Sequence, residues 1–192
     1  MEKYVNHPKC IAIGECGLDY FRLPEDEFEK QENIKKQKEV FIAQIEFAKK
    51  VKKPLIVHIR EASNDSRQIL IDYNAKEVGG VLHCYNASEH LLSLAEHNFY
   101  FGIGGVLTFK NAKKLIEVLP KIPKDKLLIE TDAPYLTPHP HRGERNEPYY
   151  TVFVASKMAE LLEISVEEIE NITTSNAKKL FKEFSSLCLD TI

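Results

Sequence analysis

A chain of 192 residues, 43% hydrophobic and 29% charged, has the makings of one globular domain with a sizeable core. Its net charge of −3 gives no global electrostatic footprint for nucleic acid, although bound metal or a local lysine patch can supply one. Its four cysteines include no Cys-x-x-Cys pair, no apolar run approaches the ~20 residues of a membrane helix, and the start lacks a signal-peptide core. The expectation is a soluble protein with reduced cysteines in a cytoplasmic or nuclear setting.

The first predicted strand is Cys10 to Glu15. A charged stretch follows, and Val40, Phe41, Ile45, Ala48 and Val51 then repeat near the 3.6 period of a helix face. Pro54 stops that helix and opens a second strand, Leu55 to His58. A polar helix with Ile69 and Leu70 inside leads to Gly79-Gly80, a turn signal before the third strand, Val81 to Cys84. Ser88 reads as the N-cap of a helix carrying Leu91, Leu94 and Ala95. The fourth strand is Phe99 to Ile103. A helix from Asn111 then ends at Pro120 and Pro123, and Leu127 to Thr131 is the fifth strand.

A long polar loop, Pro134 to Pro148, precedes a helical carboxyl end. There Val152, Ala155, Ala159 and Leu162 form a stripe, Ser165 with Glu168 reads as a capping box, and Ala177, Leu180 and Phe181 sit on the last helix. Strands alternating with helices predict a parallel α/β layer fold. Five units are visible where a closed barrel takes eight, so the sheet is either open or an incomplete barrel.

Four of the strands end in metal-ligand side chains: Glu15, His58, His83 and Asp132. The carboxyl ends of barrel strands are where such folds keep their chemistry. Side chains alternate faces along a strand, which puts Ile13 with Glu15, Ile56 with His58, and Val81 with His83. Two imidazoles and two carboxylates suit Zn²⁺, Mn²⁺ or Co²⁺, and Mg²⁺ if water and phosphate complete the shell. Taken singly, each has a plainer reading: a hydrogen-bonded structural histidine or a capping carboxylate. Their recurrence at successive strand ends favours a divalent-metal site.

Arg60, two residues beyond His58, can clamp a phosphate with its forked donors, or pair with Glu61 or Asp65. Glu130 can orient a ligand from behind or form an ion pair. Asp19 reads foremost as a loop cap. The lysines between Lys110 and Lys126 can follow a DNA backbone, or be the solvated face of a helix. His139-Pro140-His141 lies on the loop and is read as loop.

These segments carry a family resemblance. Ala12-Ile13-Gly14-Glu15-Cys16-Gly17-Leu18-Asp19-Tyr20, Pro54 to Arg60, Gly80 to Tyr85, Leu127 to Leu136 and Arg145-Asn146-Glu147-Pro148 resemble, in order, segments of the TatD metal-dependent deoxyribonucleases. The resemblance implies a TIM-type (β/α)8 barrel and hydrolysis of DNA phosphodiester bonds with one or two divalent ions, Mg, Mn or Zn. It makes Glu15 the bridging ligand, His58 and His83 imidazole ligands, and Asp132 the last ligand and acceptor of the attacking water's proton. DNA is then the partner, with Arg60 and Arg145 as candidate substrate contacts.

The family's first strand carries an Asp-x-His-x-His motif, and this sequence has none. The five strands therefore align with family strands four to eight. The expectation is one domain over residues 1–192 lacking the first three β/α units, with Met1 to Pro8 as the tail of a preceding helix. The first and last strands should have unpaired edges, and the loss of two imidazoles should impair metal binding and activity. Two further readings are a metal-dependent hydrolase of ester or amide bonds and a non-catalytic fragment that binds DNA or a partner.

Overall fold

A computed structural model describes residues 3–182. Met1, Glu2 and Cys188 lie outside them, and the segment just before the first strand forms turns rather than the expected helix tail. The elements are β1 (Ile13–Asp19), α1 (Glu27–Val51), β2 (Leu55–Arg60), α2 (Ser63–Asp72), β3 (Gly80–His83), β4 (Phe99–Ile103), α3 (Lys113–Val118), β5 (Leu127–Ile129), α4 (Thr151–Leu162) and α5 (Val166–Leu180). All five strands are parallel and lie in chain order, each beside its sequence neighbour. Among the described residues the sheet is open, with β1 and β5 paired on one side only.

The pleat sorts the side chains into two layers. One face carries Cys16, Leu18, Leu55, Val57, Leu82, Phe99, Phe101, Ile103 and Leu127, packed under Phe41, Ile45, Leu70, Leu115 and Met158 of the helices. Each fully buried large apolar side chain here is worth about 1.5–3 kcal/mol of burial. The opposite face is apolar at its amino end, where Ile56, Val81, Tyr100 and Leu128 meet Ala177, Leu180 and Phe181 at the end of the chain's last helix. Its carboxyl end is polar and holds His58 and His83.

α1 is well specified locally. Asp26 caps it by accepting the Glu29 N–H, acidic residues fill its first turn and basic ones its last, and Lys52 ends it in the left-handed region just before Pro54. Phe41, Ile45 and Ala48 are its buried stripe, whereas Val40 falls off the stripe and is exposed. On α4 the buried residues are Val154, Ala155, Met158 and Ala159, and Val152 and Leu162 lie outside that stripe. Ser165 caps α5 through the Glu168 N–H, as the capping box predicts.

Further sequence expectations change, among them the end of β5, which falls at Ile129 and not Thr131. The helix after β3 is a 3-10 winding over Glu89–His97, and the Ser88 side chain does not cap it. Instead Ser88 is buried, with its carbonyl accepting the Tyr85 hydroxyl and its N–H bonded to Asn86. The helix expected from Asn111 begins at Lys113. The most consequential change is in β1, which starts later than expected and runs on to Asp19. Its pairing with β2 shifts between Ile13 and Cys16, since Ile13 faces Leu55 and Cys16 faces Val57. The extra residue is a bulge, and it resets the alternation. Ile13 therefore packs with the helices, while Glu15 turns out of that layer.

Candidate metal centre

His58 and His83 are register partners on β2 and β3. Each imidazole lies between two carboxylates. His58 Nδ1 is 3.1 Å from Glu15 Oε1, and His58 Nε2 is 3.0 Å from Asp19 Oδ2. His83 Nδ1 is 2.6 Å from Glu130 Oε2, and His83 Nε2 is 3.2 Å from Asp132 Oδ1. One clamp draws both carboxylates from β1; the other draws both from the chain just beyond β5.

Backbone features make room for these contacts. Gly17 has φ +140° and lies against the His58 carbonyl, where a Cβ would collide. Gly102 of β4 leaves the space that the Glu130 carboxylate fills, and a Cβ there would collide with it. The second Glu130 oxygen accepts the Cys84 N–H at 2.6 Å, so both of its oxygens are held. Cys84 has φ 45°; burial, and then the Glu130 charge, push its thiol up to about 12. Asp132 sits on a turn that Asn146 ties down. The buried Asn146 amide donates to Thr131 Oγ1 (3.2 Å) and to the Tyr135 carbonyl (2.6 Å).

Electrostatics follow this geometry. His83 is raised from 6.5 to about 9, chiefly by its hydrogen bond to Glu130 against the opposing effect of burial, with Glu15 and Asp132 adding to the field. Both of its nitrogens face carboxylates, which suits an imidazolium. The Asp19 carboxyl is held below its usual range. Its partial burial pushes it up, and the Phe21 N–H, His58 and Arg60 together pull it further down.

Arg60 pairs with neither Glu61 nor Asp65. Its guanidinium lies 3.4 Å from the centre of the Phe21 ring, and Asp65 instead binds Lys38 and the Tyr20 hydroxyl. Arg145 stays on the exposed loop beside Glu147, 3.6 Å away. The member of that segment with a structural hold on the site is its neighbour Asn146. His141 stacks on Tyr150 and bonds Glu144. Of the basic segment, Lys121 pairs with Glu89, Lys124 with Glu168, and Lys126 lies over the Tyr100 ring.

Two carboxylates found here were not ranked as site residues by sequence reasoning. Asp19 both caps the following loop through Phe21 N–H and binds His58; its even spacing from Glu15 was the available signal. The sequence allows Glu130 two roles, and in the structure it is the group that grips His83. A cleft of about 510 Å³ beside β1 is lined by Glu15, Gly17, Asp19, Gln37, Val40 and His58. A cavity of about 550 Å³ at the amino ends of the strands, among Lys49, Lys53, Pro54 and Val78, touches none of these groups.

The donor chemistry, two imidazoles with Glu15 and Asp132 at hand, fits a divalent ion. The side chains stand as hydrogen-bonded clamps: among the described residues, no three His, Cys, Asp or Glu are gathered around one point as a cage. Ligation by either imidazole therefore exchanges a carboxylate hydrogen bond for the ion, and at His83 it releases a proton.

An open parallel sheet with imidazole and carboxylate donors at the carboxyl ends of its strands defines an α/β protein with a candidate metal centre. The model of the family described as TatD related DNase matches residues 1–182, and the chain belongs to that family. It is 50% identical over 179 residues to the uncharacterized metal-dependent hydrolase YabD of Bacillus subtilis (strain 168), covering 92% of this chain and 67% of that protein. It is 40% identical over 172 residues to the uncharacterized metal-dependent hydrolase YcfH of Escherichia coli (strain K12), covering 89% of this chain and 62% of that protein. In three dimensions it resembles the crystal structure of YJJV, a TatD homologue from Escherichia coli K12, with TM-score 0.83 and 26% identity over 94% of this chain and 68% of that one. The chain thus spans about two thirds of the length of these relatives. No described helix is long and apolar enough to cross a membrane.

Proposed function

We propose that this chain carries the greater part of a divalent-metal site that hydrolyses phosphodiester bonds of DNA. The observation that carries the reading is the pair of facing imidazoles, His58 and His83, each flanked by carboxylates on the polar end of one sheet face. The description of the matching family supports DNA as the substrate, and the metal-dependent relatives support a divalent ion.

Glu15, His58, His83 and Asp132 are the residues that would hold the metal. A divalent ion held there would supply Lewis acidity, offsetting phosphate charge and making a nearby water more acidic. Glu130 fixes the orientation of His83, and Asp19 that of His58. The partly exposed Asp132 carboxylate accepts the proton of the attacking water. Arg60, the register partner of Asp19, supplies the cation that a phosphate needs next to so many carboxylates.

The test is hydrolysis of plasmid and oligonucleotide DNA by the purified chain, with Mg²⁺, Mn²⁺, Zn²⁺ or chelator, in parallel with small ester and amide substrates. Metal-dependent DNA cleavage, abolished by Glu15→Gln and by Asp132→Asn, is the expected outcome. Turnover of only the esters or amides would reassign the substrate, and DNA binding without cleavage would make the chain a binding module.

A further inference from the structure

Gln37 lies within α1, on the side facing the open edge of β1. Its side-chain amide brackets the backbone of Asp19: Oε1 accepts the Asp19 N–H at 2.9 Å, and Nε2 donates to the Asp19 carbonyl at 2.9 Å. The same Nε2 donates to Asn33 Oδ1, one turn earlier on the helix, at 2.8 Å. In a sheet, the N–H and C=O of one strand residue point to the same side and bond the neighbouring strand. β1 has β2 on its other side, and Asp19 is there register partner to Arg60. Gln37 therefore does at the edge what a further strand would do, closing both backbone groups of Asp19.

The Asp19 side chain is fixed as firmly. Oδ1 accepts the Phe21 N–H at 2.9 Å, and Oδ2 meets His58 Nε2 at 3.0 Å. With the backbone locked by Gln37 and one oxygen locked by Phe21, the other oxygen has one direction to point. We infer that Gln37 is a positioning residue for His58, acting through Asp19, and that it sets the imidazole orientation in which His58 can take up a metal. The inference rests on the metal-site reading above for its consequence, though not for its geometry. A helix glutamine with no direct contact to the imidazole thus becomes part of the site.

The test uses the whole chain and two readouts. The first is the ¹⁵N–¹H imidazole spectrum of the metal-free protein with labelled histidine, for wild type, Gln37→Leu, Asp19→Asn and the double variant. The second is titration of each with Mn²⁺ and Zn²⁺. Gln37→Leu should move the His58 ring signals in the direction that Asp19→Asn moves them and leave those of His83 in place. It should weaken metal binding about tenfold, the scale set by losing a partner behind a ligand. The double variant should bind no more weakly than the weaker single one, since both act along one line. Wild-type His58 signals in Gln37→Leu overturn the inference whatever the metal result, and so do losses in the double variant that multiply. Metal uptake by none of the proteins, wild type included, refutes the functional reading, and the imidazole spectra still decide the role of Gln37.

Discussion

The two imidazole clamps differ in burial far more than in composition. The His83 clamp is closed on its Glu130 side: the histidine and Glu130 side chains are 18% and 16% exposed and Glu130 fills the space above Gly102, while Asp132 is 37% exposed. The His58 clamp is open, with His58, Glu15 and Asp19 each more than a third exposed at the sheet edge. The same hydrogen-bonding chemistry therefore has different worth at the two positions. A buried, charge-assisted bond is costly to break because it strands its partner, whereas an exposed one is screened by water. A glycine serves each clamp, beside a largely buried carboxylate at one and a helix glutamine and a bulge at the other.

The largest effect should come from opening the closed clamp. Glu130→Ala strands His83 Nδ1 and the Cys84 N–H together, and should destabilise the fold by about 1–3 kcal/mol in urea titration. Asp19→Ala, at the open clamp, should cost less than about 1 kcal/mol in the same titration. Equal losses would erase the distinction between the clamps.

Next in size is a pH dependence peculiar to His83. Its pKa is raised in the folded protein from 6.5 to about 9. A raised pKa means that the folded state holds the proton more tightly, so this contribution is complete below pH 6.5 and fades as pH climbs through 9. Thermal melts of metal-free protein should therefore show a decline from pH 6.5 to 9 that is absent from His83→Gln. Metal uptake must expel the same proton, so Zn²⁺ or Mn²⁺ affinity should rise over that interval, with proton release seen as buffer-dependent heat in calorimetry. The smallest effect belongs to Arg60→Ala, beside the open clamp. It should raise KM for DNA and flatten its salt dependence, with kcat little changed.

Much of this was legible from residue order. Val81-Leu82-His83 and Leu55 to His58 alternate cleanly, so the pleat alone puts both imidazoles on one face. The Glu15 geometry was harder, because the bulge in β1 arises from pairing with a strand some 40 residues away (Cys16 Sγ meets the Ile56 carbonyl across that gap) and not from local propensity. Asp19 looked like a loop cap because it is one. Its second oxygen finds His58 only through the tertiary fold. Gln37 carries no local sign at all, since a polar residue on a mostly polar helix predicts solvent. Asn146 was overshadowed by the charge of Arg145, although burial picks out the amide.

From a position within β1, the carboxyl-end parts of β2 and β3, and the chain just beyond β5, Glu15, His58, His83 and Asp132 can converge on a divalent ion. Anomalous diffraction from crystals of the chain grown with Mn²⁺ tests this directly. Strong density between the His58 and His83 rings, flanked by the Glu15 and Asp132 carboxylates, is what the geometry requires. Density confined to the His139–His141 loop or to surface carboxylates, with both clamps still closed on their carboxylates, would refute it.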